Sequence, residues 1–410
     1  MKKALVCSAV VGAILTSGQG NAVEFDGFLT AGFAVHDMPE MMYDSNSDGI
    51  PDTQTPATYL NSIEEDVSFD NDSKFGLQIT ADVFEDMQAV AQVLATGADE
   101  NYDMDVEWAY LDYTISNHVS LRGGKVKEPV FLISDYFEVG YAYPWIRPPE
   151  EVYNNNPINT IVGMEALFTA QYGRTTVIFQ PYLGSNSEAV PGYNGAVTFD
   201  ATNFFGAAIQ VSSPSFTFQA STLKTDVSTV GYIPVNAGVF EGNPFNGPQP
   251  GTSTSPPTPS PLPYLNASAS GEAELSSVGF SFDISNFVGY AEYVTRDISG
   301  SVEGLFPDQD GWYATFGYRA GKFLPHITVA SVEADPLPLS AGASQGNTQD
   351  SLTLGLRYEV NDSAAFKFEY KAIELDADTF SNGFFTGEVS SGLATEDKAS
   401  VLSVALDVIF

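Results

Sequence analysis

From Val23 to Phe410 apolar and polar residues alternate with a period of two, in short segments of about ten residues. At the C-terminus Leu402, Val404, Leu406, Val408 and Phe410 alternate with Ser403, Ala405 and Asp407. Phe366, Phe368 and Tyr370 alternate with Lys367, Glu369 and Lys371, and Trp312, Ala314, Phe316 and Tyr318 with Tyr313, Thr315, Gly317 and Arg319. A strand built this way has one side in an apolar medium and the other in a polar one. The pattern predicts about sixteen strands, near 23–35, 73–84, 87–97, 105–115, 119–127, 160–172, 175–184, 203–212, 215–225, 273–284, 286–298, 312–320, 322–334, 350–360, 363–375 and 398–410. Tight turns such as Glu85-Asp86, Gly173-Arg174 and Asn361-Asp362 alternate with long connections, including 36–72, 128–159, 226–272 and 376–397.

Short turns at one end and long loops at the other point to an all-β chain, a transmembrane antiparallel β-barrel of about sixteen strands. In this arrangement the short turns are periplasmic and the long loops extracellular. A lipid-spanning sheet must pair every backbone group, which forces closure. A soluble sandwich explains the strands but not the alternation of connection length. Tyr172, Tyr182, Tyr290, Tyr293 and Tyr313 lie near strand ends and suit interfacial aromatic girdles. Sixteen strands enclose an aqueous channel, and a wet lumen beside a lipid-facing side accounts for a mean hydropathy near zero.

The N-terminus reads differently. Met1-Lys2-Lys3, an apolar stretch from Ala4 to Leu15 and Gly20-Asn21-Ala22 form a secretory signal peptide, residues 1–22, with the barrel domain spanning 23–410. Cleavage after Ala22 removes the single cysteine, Cys7, and moves the net charge from −36 to −38. The exported chain therefore uses no disulfide. With 52 acidic against 16 basic residues, a nucleic-acid partner is excluded for want of clustered cations. No mature segment has the roughly 20 consecutive apolar residues of a spanning helix.

The architecture resembles the Gram-negative outer-membrane porin superfamily. Phe410, with its alternating partners, resembles the C-terminal signature that such barrels present to their insertion machinery. The stretch from Glu107 through Lys127 looks like the fourth and fifth strands of these porins, and Ser134 to Tyr153 like their aromatic, Pro-rich third loop. The resemblance implies an outer-membrane location among lipid and lipopolysaccharide, a homotrimer, and a third loop (128–159) folded into the lumen to narrow it. Low Arg content and the long, Pro-rich connection at 226–272 depart from familiar general porins; its 244–263 portion carries eight prolines and reads as an extended extracellular excursion.

Within 128–159 the charges are Glu128, Asp135, Glu138, Arg147, Glu150 and Glu151. The facing wall supplies Arg122, Arg296, Arg319, Arg357, Lys367 and Lys371. Acids on the loop opposite bases on the wall would set a transverse field, and charge of this kind sets ion selectivity. A surface loop with solvated charges is the plainer alternative. In the first long loop Asp44-Ser-Asn-Ser-Asp-Gly-Ile-Pro-Asp52 has the spacing that wraps Asp44, Asn46, Asp48 and the Ile50 carbonyl around Ca²⁺, with Asp52 completing the shell. Thr55 occupies the place of the usual bidentate Glu, so a calorimetric titration of an Asp48→Asn variant is the test; no cofactor is otherwise required.

Five loop regions (36–72, 98–104, 299–311, 333–350 and 376–397) hold 24 acids and no Lys or Arg, which concentrates cations at the outer mouth. The expected function is passive diffusion of ions and small hydrophilic solutes with a modest cation preference. A substrate-selective channel for sugars or organic acids, kept open by the Tyr141 to Trp145 cluster, and a surface adhesin are the alternatives. No enzymatic constellation is present: His36, His118 and His326 are far apart and lack metal-ligand spacing.

Overall fold

The computed structural model describes residues 23–38, 40–43, 53–60, 63–97, 102, 104–156, 158–189, 197–234, 264–303, 306–335, 337–338, 344–345, 348–376, 383–387, 393–394 and 396–410. Sixteen antiparallel strands close into one barrel. They are β1 (Val23–His36), β2 (Lys74–Phe84), β3 (Met87–Thr96), β4 (Met104–Ser116), β5 (Val119–Lys127), β6 (Thr160–Tyr172), β7 (Thr175–Ala189) and β8 (Val197–Ser213). The second half comprises β9 (Phe216–Pro234), β10 (Tyr264–Ile284), β11 (Phe287–Gly300), β12 (Gln309–Tyr318), β13 (Phe323–Ala334), β14 (Gln349–Asn361), β15 (Ala364–Leu375) and β16 (Lys398–Ile409). Every strand pairs with its sequence neighbours, and β1 closes the ring on β16 with Phe28 opposite Ile409 and Val35 opposite Leu402. Phe410 seals the seam: its amide and carbonyl both bond Gly27, each at 2.9 Å. A side chain at Gly27 would strike the Phe410 ring.

The period-two pattern is realised as inside and outside. On β12 Trp312 and Phe316 are about half exposed while Tyr313 and Thr315 are buried, and on β15 Phe366, Phe368 and Tyr370 point outward over buried Lys367, Glu369 and Lys371. Only a lipid-like exterior makes that outward row stable, since it exposes large apolar side chains along most strands.

Two expectations need correction. Tyr182, Tyr290 and Tyr313 do not join a girdle: Tyr182 and Tyr313 are 2% and 1% exposed, and Tyr290 packs on Trp145 at 4.8 Å. Strand parity puts them on the lumen face, beside outward-facing Leu183, Tyr293 and Trp312; Tyr172 and Tyr293 do face outward. Strands near the middle of the chain are also longer than the alternation suggested, reaching 17, 19 and 21 residues in β8, β9 and β10. At ~3.3 Å per residue β10 extends well past the ~11 residues a tilted spanning strand needs. Its outer half is rich in Ser, Ala and Gly, which carry no apolar row to register as a strand.

A further small sheet joins the first and last long loops. Thr53–Tyr59 pairs with Glu40–Tyr43 on one side and Phe385–Gly387 on the other, and Leu393–Ala394 pairs with Glu40–Tyr43. Beneath it Met38, Ala57, Tyr59, Ile63 and Phe385 form a small apolar core with Ile373, Leu375 and Val401 of the wall.

Candidate functional site

Residues 128–156 run across the inside of the barrel and bond to wall residues from β9 round to β16. Gln219 Nε2 donates to the Phe131 carbonyl at 2.8 Å, and the Ser221 and Ser277 hydroxyls donate to the Val130 carbonyl at 2.7 and 2.6 Å. The Leu132 amide donates to Glu292 Oε1 at 2.7 Å, and the Tyr153 hydroxyl to Glu292 Oε2 at 2.8 Å. Trp145 Nε1 donates to the Thr315 and Thr328 hydroxyls at 3.0 and 3.1 Å. Around these bonds Phe131, Ile133, Tyr143, Trp145, Val152 and Tyr153 pack an apolar core with Tyr182, Leu223, Val294 and Tyr313 of the wall. One wall position has to be glycine for this approach, because a Cβ at Gly311 would collide with the Glu151 carbonyl oxygen.

The wall cations divide by their partners. Arg357 donates to the Tyr141 and Tyr143 carbonyls at 2.6 and 2.9 Å and lies over the Tyr141 ring. Lys367 donates to the Gly140 carbonyl at 2.6 Å and to that of Trp145, and pairs with Asp407 at 2.8 Å. Arg296 donates to the Asn155 carbonyl at 3.0 Å. Lys371 pairs with Glu150 and, at 2.9 Å, with Glu151. Arg319 stands apart, at the short-turn end, 2.5 Å from Asp283 and away from the loop.

The loop's own charges are mostly in direct contact rather than set across a gap. Arg147 bonds Asp72 at 2.6 Å, Glu150 at 3.1 Å and the Ser403 hydroxyl at 2.7 Å. Glu138 meets Lys74 at 3.0 Å and Lys127 at 3.7 Å, while Lys127 also grips Glu107. Glu128 accepts from Asn156 Nδ2 at 2.9 Å. Burial alone would raise the pKa of Glu150 and Glu138. The adjacent Lys371 and Arg147, and Lys74 and Lys127, instead hold both carboxyls below the ordinary value.

Asp135 differs from its neighbours in being exposed, whereas Glu138, Glu150 and Glu151 are 8%, 6% and 0% exposed. Water reaches Asp135, yet protein rings it at a distance. This enclosure lifts its pKa above the ordinary value against the pull of Arg122 and Lys127. Arg122, with 26% of its side chain exposed, donates to Asp112 at 2.7 Å and Glu165 at 3.0 Å and lies over Tyr110. With half-exposed Gln78, Thr80, Gln88, Tyr110, Asp112 and Ser120 it forms a polar, wettable strip on β2–β5 that the loop leaves uncovered.

Several partners in this site carried no sequence signal. Asp72 and Tyr59 come from the first long loop, far from the residues they touch. Glu165, Glu292, Glu369 and Asp407 had one: each is an acid on the lumen parity of a spanning strand. The Asp44, Asn46, Asp48, Ile50 and Asp52 positions, the signal peptide and the 235–263 part of the Pro-rich connection lie outside the described residues. His36 Nε2 bonds the Ala57 carbonyl at 3.0 Å, His118 Nδ1 the Thr169 carbonyl at 3.1 Å, and His326 lies 3.8 Å from Glu369; the three do not meet.

A closed sixteen-stranded barrel with a long inward connection after its fifth strand is the fold of the outer-membrane porins. OmpT lacking loop L8, an outer membrane protein of Vibrio cholerae, aligns with a TM-score of 0.54 at 14% identity, over 95% of this chain and 99% of that one. OmpF of Salmonella typhi, in complex with daunomycin, aligns at 0.52 and 14% over 96% and 99%. An anion-selective porin from Comamonas acidovorans aligns at 0.52 and 9% over 95% and 100%. No family model matches the sequence. No curated protein matches it either.

Proposed function

We propose that this chain is an outer-membrane channel for passive diffusion of ions and small hydrophilic solutes, with a modest cation preference. The observation that carries the reading is the wettable strip from Gln78 to Arg122 facing water-exposed Asp135, beside a loop that occupies the rest of the lumen. Arg122 is already matched by Asp112 and Glu165. Asp135 thus leaves the local balance negative, as do the acidic outer loops. The anion-selective porin shares the fold, so selectivity must come from side chains rather than architecture. The purified chain in a planar bilayer is expected to give steady open conductance and a cation-selective reversal potential across a salt gradient. Asp135→Asn should reduce that preference, and a closed barrel or anion selectivity overturns the reading.

The sugar alternative is less favoured, because Tyr141, Tyr143 and Trp145 of the inward loop are 8%, 1% and 1% exposed and pack toward the wall, Tyr141 under Arg357 and Trp145 on Thr315 and Thr328. The channel works without catalysis. Lipid and lipopolysaccharide surround its outward aromatic face, and exposed Phe410 offers its terminal signature to the insertion machinery. We expect a homotrimer, as one neighbour, OmpT, is described in a trimer form; chemical cross-linking that yields only monomer counts against it.

A further inference from the structure

Three stretches of chain that are far apart in sequence meet on one side-chain amide. Gln349 opens β14 and is 1% exposed. Its Oε1 accepts from the Phe384 amide of the last long loop at 3.2 Å. Its Nε2 donates to Glu151 Oε1 of the inward loop at 2.8 Å and to the Tyr59 hydroxyl of the first long loop at 3.4 Å. Such an amide offers an acceptor oxygen and two N–H donors, and here each of them serves a different loop. The approach is close. Gly383 has a φ of 54°, and a Cβ there would lie 2.3 Å from Gln349 Oε1. Tyr59 packs at 4.9 Å on Phe385 and stands over Lys371, whose Nζ is 5.7 Å from the ring centre.

The outer sheet above this junction is built from strands of two to seven residues, whereas the barrel strands have nine or more. Short strands over a small apolar core open locally at lower cost than the barrel itself. When they part, Tyr59 and Phe384 withdraw, the Gln349 oxygen loses its donor and water reaches Lys371. The attraction of Lys371 for Glu150 and Glu151 then falls, because charges interact more weakly in water than in protein. We propose that Gln349 makes the outer sheet a latch on the inward loop: opening the sheet unseats the helical turn Glu150–Tyr153, and closing it seats the turn. By reciprocity, whatever holds the sheet shut from outside stabilises the inward loop. This coupling does not depend on what the barrel conducts.

The test is amide hydrogen exchange of the folded barrel with the outer sheet locked. Thr58 and Thr386 are register partners across the sheet, and the barrel domain has no cysteine of its own. Thr58→Cys with Thr386→Cys therefore gives a single bridge that dithiothreitol opens. The amides of Val152, Tyr153, Asn154 and Asn155 bond to the Pro149, Glu150 and Val152 carbonyls and report the seating of the turn. The bridge should slow their exchange by about fivefold or more, the factor that one neutral hydrogen bond supplies. Reduction should reverse the effect, and exchange in residues 175–184 of β7 should not change. Without the bridge, Gln349→Met should speed exchange of the turn, and with it the bridge should slow that exchange less than in the unaltered barrel. Equal exchange with the bridge open and closed overturns the proposal. So does a slowing that is undiminished in Gln349→Met or that extends equally to 175–184, and so does a turn that Gln349→Met leaves unchanged. Should Gln349→Met not fold, Gln349→Asn, too short to reach all three partners, is read in its place.

Discussion

Lys371 is one of the wall side chains that hold the inward loop. It is 5% exposed and holds two carboxylates that are themselves buried, Glu150 and Glu151. Taking one partner from a buried pair leaves the other as an uncompensated charge, at a cost of about 3–5 kcal/mol. Lys371→Met should therefore destabilise the barrel by about that much in urea unfolding, and make single-channel currents noisier as the loop comes away. Protonation acts on the same contacts. Because Glu138 and Glu150 have folded pKa values below the 4.5 of a free glutamate, their ion pairs stabilise fully above 4.5 and are lost as pH falls through the lower folded values. The contribution of these two pairs should thus be constant from neutral pH down to about 5 and fall only in stronger acid, read as the gap in urea midpoint between the unaltered chain and Lys371→Met at each pH.

Among the elements, the outer ends of β10 to β15 carry an unusual outward row. Glu274 stands opposite Asp297, Asp310 opposite Glu333, and Asp350 opposite Glu374. Directly opposed like charges weaken a strand pair by roughly 0.2–1 kcal/mol. Lysines relieve the row at its two flanks, Lys224 beside Glu272 at 2.8 Å and Lys398 beside Glu374 at 3.2 Å, and none stands at its centre. Asp297→Asn should accordingly raise stability by a few tenths of a kcal/mol at low ionic strength, with the gain fading in high salt. Unfolding curves at two salt concentrations check it. The strands themselves were largely legible beforehand: β5 and β6 have the bounds that alternation predicts. The outer half of β10 was not, since Ser270, Ala269 and Ser268 have no strong preference for either side.

At the scale of the whole molecule, the barrel is an apolar shell around an interior that the 128–156 segment divides in two. One part is packed against β9–β16, and the other is the wettable strip along β2–β5. The first and last loops join in a small sheet over the packed part, where Gln349 links them to the constriction segment by donating to Glu151 and Tyr59. The sequence alone determined the number of spanning strands, the alternation of lipid-facing and lumen-facing positions along most of them and the end that bears the long loops. Those properties are local, written in a two-residue period and in the spacing of turns. It could also name the charged residues of the inward loop and of the wall. What it could not determine was which of them water reaches. Glu150 and Glu151 meet Lys371 more than two hundred residues away, Arg147 meets Asp72 from another loop, and Asp135 meets no such partner. Pairing and burial are decided where distant segments are brought together, and a carboxylate inside a barrel has very different electrostatic consequences when a lysine touches it and when water does.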